Sequence, residues 1–162
     1  VCPELRNLAV GSAGTILKQV SGDDAPKLHD GGTYVNMEGP AFSTRAESNT
    51  YRSFGFDVIG MTSLAEAKLC REAEICYQAM AFVTDYDCWR ESEKAVDVQM
   101  VISNLQANTE LAGAIIRELA ESFPEERSCE CGNALSSAII TRKEHIPEKL
   151  RRDLSPIVGR HL

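Results

Sequence analysis

Residues 75–87 read ICYQAMAFVTDYD, an apolar run that leads directly into two aspartates one residue apart. Such a run is typical of a buried strand. In open α/β sheets, ligands bind outside the carboxyl ends of the strands, which is where Asp85 and Asp87 fall. Two acids at that position can accept hydrogen bonds from an amine or a protonated ring nitrogen. The alternative is a solvated loop with two ordinary aspartates, and this stretch alone leaves it open.

On the N-terminal side of this run, predicted helices alternate with predicted strands. Helical spacing covers residues 3–20, and short apolar strands follow at residues 33–37 and 56–61. Two capping boxes, each a hydroxyl residue followed three positions later by glutamate, predict helices at Thr44 and Ser63. The first of these helices is expected to turn Tyr51 and Phe54 inward. Because strands alternate with helices, we predict the α/β class.

On the C-terminal side, a polar loop at residues 89–94 precedes a long amphipathic helix. We predict that Asp97 caps this helix and that it ends before Pro124. Shorter helices are expected at residues 135–140 and after Pro147. The tail is locally basic, and we interpret it as a solvated face or a subunit contact.

Composition excludes several kinds of protein. The chain has 162 residues, enough for one core, with 17 basic and 24 acidic residues and a net charge of −7. This balance argues against nucleic acid as a partner, because phosphate contacts need a basic face. No apolar run reaches the roughly 20 residues of a membrane helix. We expect a cytoplasmic protein without a membrane partner.

The six cysteines contain only one close pair, Cys129 and Cys131, and the three histidines are scattered. Structural metal sites usually combine two such pairs, so we expect no metal. The cysteine content favours structural disulfides, and six reduced, mostly buried thiols are the open alternative.

Three separated motifs, one of them overlapping the stretch above, carry a family resemblance. The segment NMEGPAFSTRAES at residues 36–48, the pair Met61-Thr62 followed by Glu66, and TDYDCW at residues 84–89 occur in this order. Together they resemble the trimeric purine nucleoside phosphorylases, and within that family the branch that acts on 5′-methylthioadenosine. The resemblance spans roughly residues 2–102 and weakens beyond them.

The resemblance implies a fold and a reaction. The fold would be an α/β domain with a mixed central sheet flanked by helices. Residues 1–162 would be the C-terminal part of this single nucleoside phosphorylase domain, completed by the N-terminal part with the phosphate loop. In the reaction, phosphate attacks C1′ of 5′-methylthioadenosine and adenine leaves. The implied partners are these two substrates, with phosphate as co-substrate and no cofactor. The implied assembly is a homotrimer or a dimer of trimers, in which the tail near Ile157 reaches a neighbouring site.

The resemblance also assigns roles to single residues. Asp85 would be the catalytic residue, contacting N7 and the 6-amino group of the purine, with Asp87 in support. Thr62 would touch phosphate, at a strand-to-helix junction where free N–H groups favour anions. Met61 would pack under the ribose, although the turn at Met61-Thr62-Ser63 also fits a plain helix cap. Phe42 offers a ring for stacking and also fits a plain core. The specificity and methylthio-pocket positions would be Ser43, Val98, Val101 and Ile102.

Thermophilic members of this family contain disulfides, including one within a CxC pair. By that resemblance, Cys2 would pair with Cys76 and Cys70 with Cys131, while Cys88 stays free. Cys129 and Cys131 together would offer a redox-active pair, because a CxC ring is strained and easily reduced.

Three alternatives remain open. One is a purine nucleoside phosphorylase of broad specificity that accepts adenosine, inosine or guanosine. Another is a nucleosidase that uses water instead of phosphate. The third is a non-catalytic binding or redox module.

Overall fold

The computed structural model describes residues 1–20, 22, 25–90 and 98–162, and only the helical backbone at residues 98, 100 and 101. The α-helices and strands, in chain order, are α1 Pro3–Leu17, β1 Tyr34–Asn36, α2 Arg45–Ser53, β2 Val58–Gly60, α3 Ser63–Glu72, α4 Val98–Glu121 and α5 Glu148–Val158. Short 3-10 helices lie at Glu130–Asn133, Lys143–His145 and Gly159–His161. None of the helices in the described part of the chain is long and apolar enough to cross a membrane.

Strands β1 and β2 pair in parallel and are joined by α2, so they form a βαβ unit. Tyr34 lies opposite Val58, and Asn36 lies opposite Gly60. The Met37 N–H extends the pairing by donating to the Gly60 carbonyl at 2.9 Å. The predicted α/β class is confirmed.

The predicted strand at residues 75–83 is wrong, because the structure has neither helix nor strand there. The Cys2 N–H donates to the Tyr77 carbonyl at 2.8 Å, and no described strand runs alongside as a partner. Ile75 and Val83 are 55% and 65% exposed. The apolar composition of this segment therefore predicted a buried, paired strand, but among the described residues the segment is partly exposed and pairs with no strand.

Helix α2 begins as predicted. The Thr44 hydroxyl accepts the Glu47 N–H, and the Glu47 carboxylate accepts the Thr44 N–H at 2.7 Å. These bonds to Thr44 hold the pKa of Glu47 below its usual range. The inward placement of Phe54 is wrong, since it is 68% exposed, whereas half-buried Tyr51 stacks on Phe56 with ring centroids 6.4 Å apart.

The predicted capping box at Ser63 does not form. Helix α3 begins one residue earlier than expected, with Thr62 at the N-cap and no side-chain cap bond. Ser63 is therefore the first helical residue, and its hydroxyl lies 3.0 Å from the Tyr77 hydroxyl, which also donates to Glu66 at 3.3 Å. The contacts of Ser63 and Glu66 with the Tyr77 hydroxyl therefore take the place of the capping box.

Helix α4 has 24 residues and confirms the predicted long helix, whereas its expected cap, Asp97, lies outside the described residues. It packs against α1, and the core between them contains Ala9, Ala13 and Ile115. Small residues on α1 let the two helices approach closely.

The C-terminal region confirms one predicted helix and corrects another. Helix α5 follows Pro147 as expected. The helix predicted at residues 135–140 is wrong: residues 135–138 form turns, with the Ala138 N–H bonding the Leu135 carbonyl three residues back, and residues 139–140 have no regular structure. The Leu135 N–H bonds the side chain of Glu74. The Ala138 contact spans three residues, where an α-helix would bond the carbonyl four residues back.

Glu74 is a buried carboxylate that joins the chain end to the turn after α3. Its side chain is 2% exposed and accepts the Leu135 N–H at 3.0 Å. His161 Nε2 lies 3.0 Å from the same carboxylate, and Arg160 forms an ion pair with it. The Glu74 carbonyl accepts from Arg127 at 2.8 Å. Because every partner is charged or polar, the burial of this acid is compensated.

Candidate active site

The two predicted acids lie on a loop that the first half of α4 holds in place. The Thr84 hydroxyl donates to Asp85 at 2.7 Å, and Asp87 accepts the Cys88 N–H at 2.8 Å. Asp85 is exposed and Asp87 is half-buried. Each carboxylate thus has one local bond that orients it and further lone pairs for a ligand.

Two asparagines of α4 fix the backbone just before the acids. Asn104 donates to the Thr84 carbonyl at 2.9 Å, and Asn108 donates to the Val83 carbonyl at 3.1 Å. The sequence analysis missed both residues. The signal was present, because two asparagines four positions apart on a mostly apolar helix lie on one face.

The acid loop reaches the segment that precedes α2. The Cys88 thiol lies 3.4 Å from the Ser43 carbonyl, in position to donate to it. Further along, the Arg52 guanidinium of α2 lies 3.6 Å from the centroid of the Trp89 ring, which packs edge-on against Tyr86. Ser43 and the two acids therefore belong to one neighbourhood.

Met61 joins the same neighbourhood through a tight turn. Gly39 has φ +69 and precedes a cis bond to Pro40, and a Cβ at Gly39 would collide with the Met61 methyl group. Asn36 donates to the Met61 carbonyl at 3.2 Å and accepts the Leu64 N–H at 3.1 Å. This asparagine at the end of β1 ties the two strand ends together, and the sequence analysis did not single it out.

Of the remaining predicted residues, some are described and exposed, and the side chains of the others lie outside the described residues. Thr62, at the N-cap of α3, is exposed, and its hydroxyl makes no cap bond. Phe42 is 85% exposed and Ile102 is 42% exposed, so neither is a plain core residue. The side chains of Val98 and Val101 lie outside the described residues.

Tyr34 packs beneath this region. Its hydroxyl lies against Gly60, where a Cβ would collide with it. Burial raises the pKa of Tyr34, and the nearby Tyr77 and Glu66 raise it further. The Tyr34 side chain therefore packs against the end of β2.

The cysteines form a second cluster, which the sequence analysis did not predict. All six are free, and the Sγ atoms of Cys2, Cys76, Cys129 and Cys131 all lie within 4.8 Å of one another. Cys70 and Cys88 are outside this group. The structure contains no disulfide among the described residues. The pairing of Cys2 with Cys76 and of Cys70 with Cys131 therefore stays a prediction.

The four clustered thiols perturb one another. Burial, followed by hydrogen bonding with Cys129 and Cys2, raises the pKa of Cys76 to about 12. Burial also raises the pKa of Cys131, again with Cys2 and Cys129. For Cys2, burial acts upward but is outweighed by the Leu5 N–H and the other thiols, so its pKa is lowered.

With this geometry established, comparison with known proteins defines the class. The family model described as the phosphorylase superfamily matches residues 1–121, and the chain belongs to that family.

Named relatives narrow the class further. The chain is 48% identical to the S-methyl-5′-thioadenosine phosphorylase of Koribacter versatilis, over 93% of this chain and 52% of that protein. It is 53% identical to the protein of the same name from Geobacter sulfurreducens, over 83% and 47%. A methylthioadenosine phosphorylase crystal structure from an antarctic soil metagenomic library superposes with a TM-score of 0.86 and 36% identity, over 97% and 53%. The chain thus spans about half the length of these relatives.

Proposed function

We propose that the protein containing this chain cleaves 5′-methylthioadenosine with inorganic phosphate. The products are adenine and 5-methylthioribose 1-phosphate. A phosphate oxygen bonds C1′, the C1′–N9 bond breaks, and its electron pair passes to the purine. The reaction needs no cofactor, since phosphate is itself a substrate.

The observation that carries the proposal is the convergence of three separated segments. Cys88 brings the acid loop to Ser43 at 3.4 Å, and the Met61 methyl group packs on Gly39. These segments contain the motifs that resemble the family, and relatives at 48% and 53% identity carry the name of this activity.

In the proposed site, Asp85 contacts N7 and the 6-amino group as the base leaves, and Asp87 supports it. Carboxylates accept hydrogen bonds, so they favour a 6-amino purine and oppose a 6-oxo oxygen, which only accepts. A proton donated or held at N7 lowers the barrier to departure. This role fits the exposed position of Asp85 and the local bonds that orient both acids.

The sugar and phosphate would lie toward α3. Met61 would pack beneath the ribose, and Thr62 would contact phosphate with a hydroxyl that the helix does not use as a cap. Phe42 and Ser43 would border the base, while Val98, Val101 and Ile102 would line the methylthio group. An apolar wall disfavours a 5′-hydroxyl, because an unpaired hydroxyl there is costly.

The proposal extends to assembly and location. Leu150, Leu154 and Ile157 share one face of α5 and are 46%, 39% and 42% exposed. This spacing fits a subunit contact. On the family resemblance, we propose that the assembly is a homotrimer or a dimer of trimers and that it works in the cytoplasm. Light scattering on the complete protein tests the assembly, and a monomeric mass contradicts it.

Initial rates of base release by the complete protein, with phosphate saturating, test the substrate assignment. We expect 5′-methylthioadenosine to react fastest, adenosine more slowly and inosine slowest. Equal or faster release from inosine would instead support a phosphorylase of broad specificity. If the folded protein releases base from none of them, the non-catalytic alternative stands.

A further inference from the structure

Four thiols from three distant parts of the chain meet at one point. Cys2 is the N-cap of α1, Cys76 follows α3, and Cys129 and Cys131 follow α4. Their Sγ atoms all lie within 4.8 Å of one another, and those of Cys76 and Cys129 are 3.3 Å apart. Cys2 is 1% exposed, and the other three are half-buried. This convergence goes beyond the proposed reaction, which uses none of these residues.

We propose that Cys2, Cys76, Cys129 and Cys131 bind one zinc ion as a structural tetrathiolate site. Zinc in such sites is tetrahedral, with Zn–S distances of about 2.3 Å, which place the sulfurs about 3.8 Å apart. The observed spread of up to 4.8 Å, with one pair at 3.3 Å, brackets that value. Small side-chain rotations therefore suffice to form the site.

The surroundings of the cluster offset its charge. Binding releases four thiol protons and transfers no electrons, and the resulting Zn(Cys)4 unit carries two negative charges. The Leu5 N–H lies 3.4 Å from Cys2 Sγ at the N-terminus of the 15-residue helix α1, which favours an anion. Arg127 adds a positive charge nearby, with its guanidinium donating to the Glu74 carbonyl at 2.8 Å. Donors of this kind stabilise metal-bound thiolates.

The composition of the site indicates its role. Four protein ligands leave no open position, so the ion would be structural and would take no part in catalysis. It would join the start of α1, the segment that leads to the acid loop, and the loop after α4. The mutual closeness of all four sulfurs favours one ion over two disulfides, which would sort them into separate pairs.

The test measures zinc in the complete protein, purified under reducing conditions without chelators, by mass spectrometry of the metal. We expect one zinc per chain. Replacing zinc with Co²⁺ should give the absorption of tetrahedral thiolate coordination. Cys76→Ser and Cys129→Ser should weaken zinc binding by more than the roughly 10–100-fold cost of losing an outer-shell partner. Cys88→Ser, outside the cluster, is the matched control and should retain the metal.

A second measurement does not depend on how the variants fold. The wild-type protein, purified in a separate preparation without reductant, is denatured with chelator, and its thiols are alkylated and counted. Zinc binding predicts one metal per chain and six alkylated cysteines. Two alkylated cysteines would reveal two disulfides and overturn the proposal. Six alkylated cysteines without bound metal, and no Co²⁺ absorption on titration, would overturn it as well.

Discussion

Asp85 is the residue on which the proposed chemistry depends. Asparagine keeps its shape but cannot hold a proton or a negative charge at N7 of the purine. We expect Asp85→Asn to lower kcat/KM for 5′-methylthioadenosine by about 10²–10⁴-fold. The rate ratio of inosine to 5′-methylthioadenosine should rise, since an amide can donate to a 6-oxo oxygen.

Steady-state kinetics on the purified complete protein check this expectation. Asp153→Asn, an exposed carboxylate on α5, is the control and should leave kcat/KM unchanged. A variant at Asp85 with wild-type kcat/KM would remove this residue from the mechanism.

Gly39 shapes the site through its backbone. Alanine there would meet the Met61 methyl group and would have to adopt φ +69, which L residues disfavour. We expect Gly39→Ala to destabilise the protein by about 1–3 kcal/mol and to raise KM. Gly113→Ala on α4 is the control, because its nearest neighbour is Arg117 at 3.6 Å and helical alanine should stabilise. Urea unfolding compares the two variants, and equal stabilities would contradict this role.

At the scale of single elements, helix α4 positions the acid loop through Asn104 and Asn108. Replacing either with alanine leaves a backbone carbonyl without its side-chain donor, at a cost of about 1 kcal/mol each. Expressed as free energies, we expect the effect of Asn104→Ala on kcat/KM to exceed its effect on unfolding stability. The reason is that the acid loop shifts while the helix stays folded. Gln106→Ala, on an exposed position between them, should change neither. Loss of stability without loss of activity would refute the positioning role.

Elements defined by local rules were predictable, whereas those defined by distant partners were not. Periodicity gave α1 and α4, and the capping box at Thr44 formed as expected. The strand predicted at residues 75–83 was wrong because a strand needs a neighbouring strand to pair with as well as apolar side chains. The capping box predicted at Ser63 was wrong because the Ser63 hydroxyl contacts Tyr77, fourteen residues further along the chain.

The same distinction holds within the sites. The acids, Met61 and Ser43 belong to compact motifs and could be named from sequence. Asn36 bonds Met61 across 25 residues, and Cys2 joins Cys129 across most of the chain, so neither contact is visible in local spacing.

At the scale of the whole molecule, Glu74 ties the C-terminal residues to the turn after α3. Glu74→Gln keeps the size of the side chain but removes the charge that pairs with Arg160 beside His161. We expect a loss of about 1.5–3 kcal/mol in unfolding free energy, the range for hydrogen bonds to charged groups. Glu72→Gln, exposed two residues earlier, should cost almost nothing. Chemical denaturation of the two variants measures this difference. Equal unfolding midpoints would contradict the stabilising role of Glu74.

The measurement that tests the proposed reaction most directly is adenine release from 5′-methylthioadenosine by the complete protein, with and without inorganic phosphate. We predict release that requires phosphate and yields one 5-methylthioribose 1-phosphate for each adenine. Adenine released at the same rate without phosphate, with free methylthioribose as the second product, would contradict phosphorolysis and identify a hydrolase.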